Sequence, residues 1–183
     1  MIKIAVQNAT DEVLKGYGRL ITREEKSGYD VGPYVWYGDV AASELANLSF
    51  GVVEVKGTGD YSVMSFERHL KTEEFWVSTN GDMIVVMGKP DAFAEEDILT
   101  LPELANFQPN SKPDQNALKA EDFIAVRVKS GCGLILEKGV WHVTPYAVDG
   151  PIDVITAFRA GTSSEDAYNG LPSLYGIAVQ VEV

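Results

Sequence analysis

From Phe50 onward the chain is written in short apolar runs, each about one strand long and each closed by turn residues. That rhythm points to a β-sandwich or barrel. Phe50–Lys56 reads as a strand and Gly57–Asp60 as a turn. Tyr61–His69 is a second strand, Glu74–Ser78 a third, and Asn80-Gly81 carries a hairpin-turn signal. Met83–Gly88 is a continuous apolar strand stopped by Lys89-Pro90. Strands resume over Phe123–Val128, Gly133–Glu137, Trp141–Val148 and Asp153–Arg159. Tyr175–Val183 ends the series, with Ile177, Val179 and Val181 alternating as Ile2, Ile4 and Val6 do near the start. The expectation is an all-β chain of roughly ten strands with few short helices.

The segments between the strands are of three kinds. Asp11–Tyr17 reads as a short helix, capped by Thr10 or Asp11 and ended by Gly16 or Gly18. Ser27–Tyr37 is rich in Gly, Pro and aromatics and reads as an irregular loop, and Ala41–Leu48 as a turn of helix. Residues 1–48 are thus an N-terminal extension. Residues 92–116 hold Pro102, Pro109 and Pro113 among many polar side chains. They read as a surface insertion with one helical turn over Leu101–Ala105, of a kind that serves as a lid or an oligomer contact. Gly161–Pro172 is a polar loop. The insertion lacks the apolar content for a core of its own, so a single domain over residues 1–183 is expected.

Composition narrows the partners. The formal net charge of −12 repels phosphate backbones and argues against nucleic acid. No apolar run is long enough to span a bilayer, and the N-terminus lacks the pattern of a signal peptide, so a cytoplasmic protein without a membrane partner is expected. The single cysteine, Cys132, rules out an intramolecular disulfide. It sits between Gly131 and Gly133 with no activating motif nearby and reads as a bystander.

Two stretches carry groups suited to chemistry. The first is Ser65–Gly81, with Glu67, His69, Glu73 and Glu74. Residues i and i+2 of a strand share a face, so Glu67 and His69 point together and Arg68 points away. A turn through Leu70–Glu73 returns Glu74 beside them. Only one of Glu73 and Glu74 can point inward; Glu74 is assigned there and Glu73 to solvent. Arg68 is assigned to a structural ion pair on the outer face. The second stretch is Gly131–Pro145, in which Glu137 ends an apolar strand, Lys138-Gly139 turns, and His142 begins the next strand. The chain has two histidines, and each falls in one of these stretches next to carboxylates. Phe75, Trp76 and Trp141 read as core or pocket wall.

The spacing resembles that of the cupin superfamily. Glu67-x-His69, four residues, Glu74, six residues and Gly81 follow the first cupin motif, with Glu67 in place of its first histidine. Glu137-x-Gly139, two residues and His142 follow the second, with Glu137 in place of its proline. Within the superfamily, Phe66–Trp76, Met83–Asp91 and Lys138–Val148 resemble the ureidoglycolate lyase family, also called ureidoglycolate hydrolases, over about Ser65–Arg159. The chain departs from that family in four places. Glu74 stands where the family has glutamine, Glu137 where it has histidine, Val143-Thr144 interrupts its paired histidines, and the Ala92–Asn116 insertion is longer than usual.

The resemblance implies a cupin-type double-stranded β-helix, a homodimer, and cleavage of ureidoglycolate to glyoxylate and urea. It assigns catalysis to His69, His142 and Glu74, with Glu67, Glu137, Lys138 and Trp141 binding the substrate. An imidazole and a carboxylate would divide the acid and base roles. Lys138, Arg68 or Arg159 would hold the substrate carboxylate. Two other readings stand beside it. One is a metal-dependent cupin isomerase, dioxygenase or hydrolase, in which His69, Glu74 and His142, with Glu67 as a further candidate ligand, hold Zn, Mn, Fe or Ni. The other is a cupin that binds a metabolite without transforming it.

Overall fold

The chain is described by a computed structural model over residues 1–22, 28–30, 35–36, 46–56, 61–107 and 118–183. The loop read over Ser27–Tyr37, the helical turn over Ala41–Leu48, the turn at Gly57–Asp60 and the Pro109–Pro113 part of the insertion fall largely outside the described residues.

The strands are β1 (Ile2–Asn8), β2 (Gly18–Ile21), β3 (Tyr29–Asp30), β4 (Val35–Trp36), β5 (Leu48–Val55), β6 (Ser62–Val63), β7 (Phe66–Arg68), β8 (Glu74–Ser78) and β9 (Met83–Gly88). They continue with β10 (Leu99–Thr100), β11 (Phe123–Val128), β12 (Gly133–Leu136), β13 (Trp141–His142), β14 (Tyr146–Ala147), β15 (Ile152–Arg159), β16 (Tyr168–Gly170) and β17 (Val179–Glu182). The α-helices are α1 (Leu101–Ala105) and α2 (Thr162–Glu165).

Two sheets face one another. The smaller runs β2-β12-β8-β15-β5, and the larger runs β10-β16-β7-β13-β9-β11-β1-β17-β6, with β14 also on β9. Eight of these strands form a long hairpin rolled up on itself. Taken in chain order as β5, β7, β8, β9, β11, β12, β13 and β15, the first pairs with the last, the second with the seventh, the third with the sixth and the fourth with the fifth, all antiparallel. This is the strand order of a jelly roll, the cupin-type double-stranded β-helix.

The roll explains why β9 shows no alternation. Met83, Val85 and Met87 face the barrel interior with Trp76, Leu134 and Val154. Ile84 and Val86 face an outer layer with Phe66, Phe93, Phe123 and Trp141. A strand covered on both faces is apolar throughout.

Several expected elements differ. Asp11–Tyr17 is a series of turns, with Leu14 N–H on the Thr10 carbonyl and Gly18 N–H on the Leu14 carbonyl. Gly16, at φ +83°, ends any helix there. Asn80-Gly81 makes no hairpin: β8 pairs with β12 and β15, so the turn carries the chain from one sheet to the other. Tyr61–His69 is broken after Val63, and Trp141–Val148 is split around Thr144-Pro145, where proline lacks a ladder donor. The loop over Gly161–Pro172 contains α2 and β16.

The insertion is not simply a surface feature. Helix α1 lies where expected, but Phe93, at the start of the insertion, is 2% exposed. Its ring lies 4.8 Å from that of Trp141 and 5.7 Å from that of Phe66. It closes the outer layer over β7 and β13, the strands that carry Glu67 and His142. Phe93→Ala is therefore expected to cost about 3–5 kcal/mol in unfolding free energy, read from denaturant midpoints, through the cavity it leaves. A loss well under 1 kcal/mol would return the insertion to the surface.

Candidate functional site

Glu67 lies on β7, Glu74 on β8 and His142 on β13, so the rolled hairpin brings residues from both sheets into one interior. Within β13 the two side chains diverge. Trp141 points into the outer layer and His142 into the barrel. The same alternation sends Phe66 and Arg68 outward and Glu67 inward. His69 follows β7 and turns inward beneath Glu67.

Glu74 is the centre of the cluster. One carboxylate oxygen, Oε1, accepts from Trp76 Nε1 at 2.8 Å and Thr156 Oγ1 at 2.9 Å. The other, Oε2, lies 3.0 Å from His142 Nε2 and 3.5 Å from His69 Nε2. His69 Nε2 is also 3.0 Å from Glu67 Oε1. The two imidazole rings are 5.2 Å apart. Each histidine commits its other nitrogen to a backbone carbonyl: His69 Nδ1 to Asp166 at 2.7 Å and His142 Nδ1 to Val140 at 3.0 Å. A carbonyl only accepts, so both Nδ1 atoms carry hydrogen and both Nε2 atoms face the carboxylates.

The charges follow from these contacts. Burial is the largest single influence on His69 and pulls its pKa down. The hydrogen bonds to Glu67 and Glu74, the charge of Glu74 and the Asp166 carbonyl outweigh it and raise the pKa to about 10. Burial likewise favours neutral Glu74, but its contacts with His142 and His69 prevail and hold its carboxyl well below the usual carboxylate range.

The cluster opens on a cavity of about 520 Å³. Its wall is part apolar, from Val53, Trp76, Val143, Val154 and Phe158. The polar part comes from Ser62, Ser65, Thr144, Tyr146, Thr156 and Asn169, with the carboxylates of Glu67 and Glu74 and the ring of His142. No lysine or arginine among the described residues lines it.

Of the residues assigned from the sequence, Glu67, Glu74 and His142 line the cavity and His69 touches the first two from behind. Three assigned to substrate binding lie elsewhere. Trp141 is fully buried in the outer layer and donates to the Pro90 carbonyl. Glu137 is exposed and 3.8 Å from Arg19, because the turn after β12 points it out of the barrel. Lys138, in the same turn, is not part of the cavity wall. Glu73 is buried rather than solvent-facing and pairs with Arg19 of β2, the strand next to β12. Arg68 does face outward and makes an ion pair, with Glu95 at 3.0 Å. It is nevertheless buried, 4.6 Å over the Trp141 ring, because the insertion covers that face. Arg159 pairs with Glu165 at 3.2 Å.

Sequence reasoning missed Thr156 and Asp166. Thr156 carried a signal, as the one polar residue in the inward alternation Ile152, Val154, Thr156, Phe158. Asp166, within a polar loop, carried none.

No protein-family profile matches the chain, and no curated protein matches it. Among solved structures it is similar to the TDP-quinovose 3,4-ketoisomerase WlaRB of Campylobacter jejuni, at 5% identity over 87% of this chain and 98% of that one, TM-score 0.46. A dTDP sugar isomerase of Desulfovibrio desulfuricans matches at 15% identity over 79% and 80% of the two chains, TM-score 0.43. The dTDP-6-deoxy-D-glucose-3,5-epimerase RmlC of Legionella pneumophila matches at 11% over 86% and 80%, TM-score 0.41. None of these is a ureidoglycolate lyase.

The contacts set a pH dependence for stability. His69 has a raised folded pKa, so its contribution is complete below about 6.5 and is lost as pH rises through about 10. Glu74 has a depressed one, so its contribution is present above the ordinary carboxylate value and is lost only as pH falls well below it. In chelator, the urea midpoint is expected to fall across the alkaline window, and His69→Gln should flatten that fall. Parallel curves for the two proteins would show that His69 does not carry the charge inferred here.

Proposed function

We propose that the chain is a cupin isomerase that moves a proton on a small, neutral, oxygen-rich metabolite, with a divalent metal at its centre. The carrying observation is the donor set: His69, His142 and Glu67 each offer one ligand atom, all within 4.8 Å of one another, while both Nδ1 atoms are occupied by carbonyls. Histidines that ligate metals are held in this way by their second nitrogen. Two imidazoles with one or two carboxylates suit Zn, Mn, Fe or Ni. The residues present fit such an ion, which His69, His142 and Glu67 would hold, with Glu74 against both rings. When bound, the ion supplies a Lewis acid that polarises a carbonyl or hydroxyl oxygen.

The chain's own residues divide the remaining work. Glu74 has both oxygens occupied and is held ionised, which makes it an anchor for the two rings and a poor proton carrier. Glu67 lines the cavity with its side chain 43% exposed; with one carboxylate oxygen toward the ion, the other can reach a substrate and is the candidate base. Ser62, Ser65, Thr144 and Asn169 offer hydrogen-bonding groups to hydroxyls, and Trp76 and Phe158 offer apolar faces to carbon. Two carboxylates and no described cation in the wall disfavour an anionic substrate.

Ureidoglycolate cleavage is the second reading. It is favoured by the juxtaposition of His69, with its raised pKa, and Glu67, an acid beside a base. It is disfavoured because ureidoglycolate is a carboxylate, and Lys138, Arg68 and Arg159 are all absent from the described wall. A homodimer remains part of the proposal. The terminal strand β5 of the smaller sheet exposes Phe50 and Val52 at 69% and 70%, and antiparallel pairing with its own copy would cover that edge.

Metal-loaded protein is expected to interconvert neutral hydroxy-aldehydes and hydroxy-ketones, to lose that activity to chelators, and to lose about 10²–10⁴-fold on Glu67→Gln. Glyoxylate release from ureidoglycolate that survives chelation would instead establish the second reading. Sedimentation equilibrium is expected to give twice the 19.9 kDa chain mass; the monomer mass at micromolar concentration would remove the dimer.

A further inference from the structure

We propose that Asp166 is a positioning residue that aims the His69 ring into the site. It rests on the reading above only in treating His69 as a working group. Asp166 is 1% exposed and follows α2, far from either motif. Its three acceptor oxygens are all spent on three successive residues. The backbone carbonyl accepts from His69 Nδ1 at 2.7 Å, Oδ1 from the Leu70 amide at 3.0 Å, and Oδ2 from the Lys71 amide at 2.8 Å. The ring and the turn that follows it are therefore gripped by one residue.

That residue is itself tied to the same turn by a second route. Asp166 N–H donates to the Thr162 carbonyl, Thr162 Oγ1 to the Arg159 carbonyl, and Arg159 N–H to Thr72 Oγ1. The loop of contacts closes on Thr72, between Lys71 and Glu73. The end of β15, α2 and the His69–Glu74 turn thus form one braced unit. With Nδ1 fixed as a donor, Nε2 is the only ring nitrogen left to face Glu67, Glu74 and a metal.

The test uses full-length protein labelled with ¹⁵N-histidine, in which only two imidazoles contribute, read alongside calorimetric titration with Zn²⁺. In Asp166→Asn one carboxylate oxygen becomes an NH₂ donor, so one of the two amides loses its acceptor. The expected result is that the His69 ring signals move or broaden, those of His142 stay, and zinc affinity falls about 10–100-fold. Unchanged His69 signals and unchanged affinity in this variant overturn the proposal. If native protein binds no zinc, a zinc centre is ruled out, and the ring signals alone decide the role of Asp166. If the variant does not fold, unmodified protein decides it. There the His69 Nδ1 proton must be present and must exchange with solvent more slowly than that of a free imidazole. An unprotonated Nδ1, or a ring proton that exchanges as fast as a free imidazole's, overturns it.

Discussion

The site is organised around one buried carboxylate. Glu74 sits inside a barrel, where an unpaired ionised group would be costly and would neutralise instead. It stays charged because its two oxygens meet Trp76, Thr156, His142 and His69. Each partner comes from a different place: Trp76 from the same strand, Thr156 from β15, His142 from β13 and His69 from the turn after β7. Strands of both sheets are thereby committed to one register. Removing a partner would leave part of a charge uncompensated, which costs more than the pair is worth when intact.

The rolled topology makes that convergence possible, and the outer layer makes it rigid. β7 and β13 are short, at three and two residues, and short strands hold little by hydrogen bonds alone. They are held instead by what packs on their outer face. Arg68 and Trp141 leave these strands outward and stack on each other, and Phe93, Pro90 and Glu95 cap them. The inward residues Glu67 and His142 are neighbours across this pair, in register. Phe93 and Glu95, from the described start of the segment that first looks like a surface insertion, therefore back the two strands that carry the site.

The sequence made the inner strands legible because burial writes itself into composition. β8, β9 and β11 fall where the apolar runs place them, and β12 nearly so. The histidines and Glu67 were legible through the i, i+2 rule and motif spacing. What could not be read was what lies across the fold. Glu73 is adjacent to Glu74 and faces the other way, yet it is buried because β2 brings Arg19 over it. Trp141 and Glu137 belong to the motif segment but point away from the cavity, since alternation and a tight turn decide orientation residue by residue. Asp166 acts through its backbone carbonyl and two amide contacts, and no residue type announces a carbonyl.

In the proposed centre, charge and metal would meet in the same few ångströms. With its Nδ1 proton fixed, His69 can offer Nε2 to a metal or keep a second proton shared with Glu67 and Glu74, but it cannot do both. The carboxylates that raise its proton affinity are the same groups that would attract a divalent ion. Were a divalent ion held here, the His69–Glu67 contact would give way to metal–ligand bonds and His69 would release its Nε2 proton. Glu67 is the part of the centre free to make that exchange, because Glu74 is pinned at both oxygens while Glu67 reaches the cavity with its side chain 43% exposed. On the proposed reading the fixed carboxylate holds the rings and the more exposed one handles the substrate, and the two stand on opposite sheets.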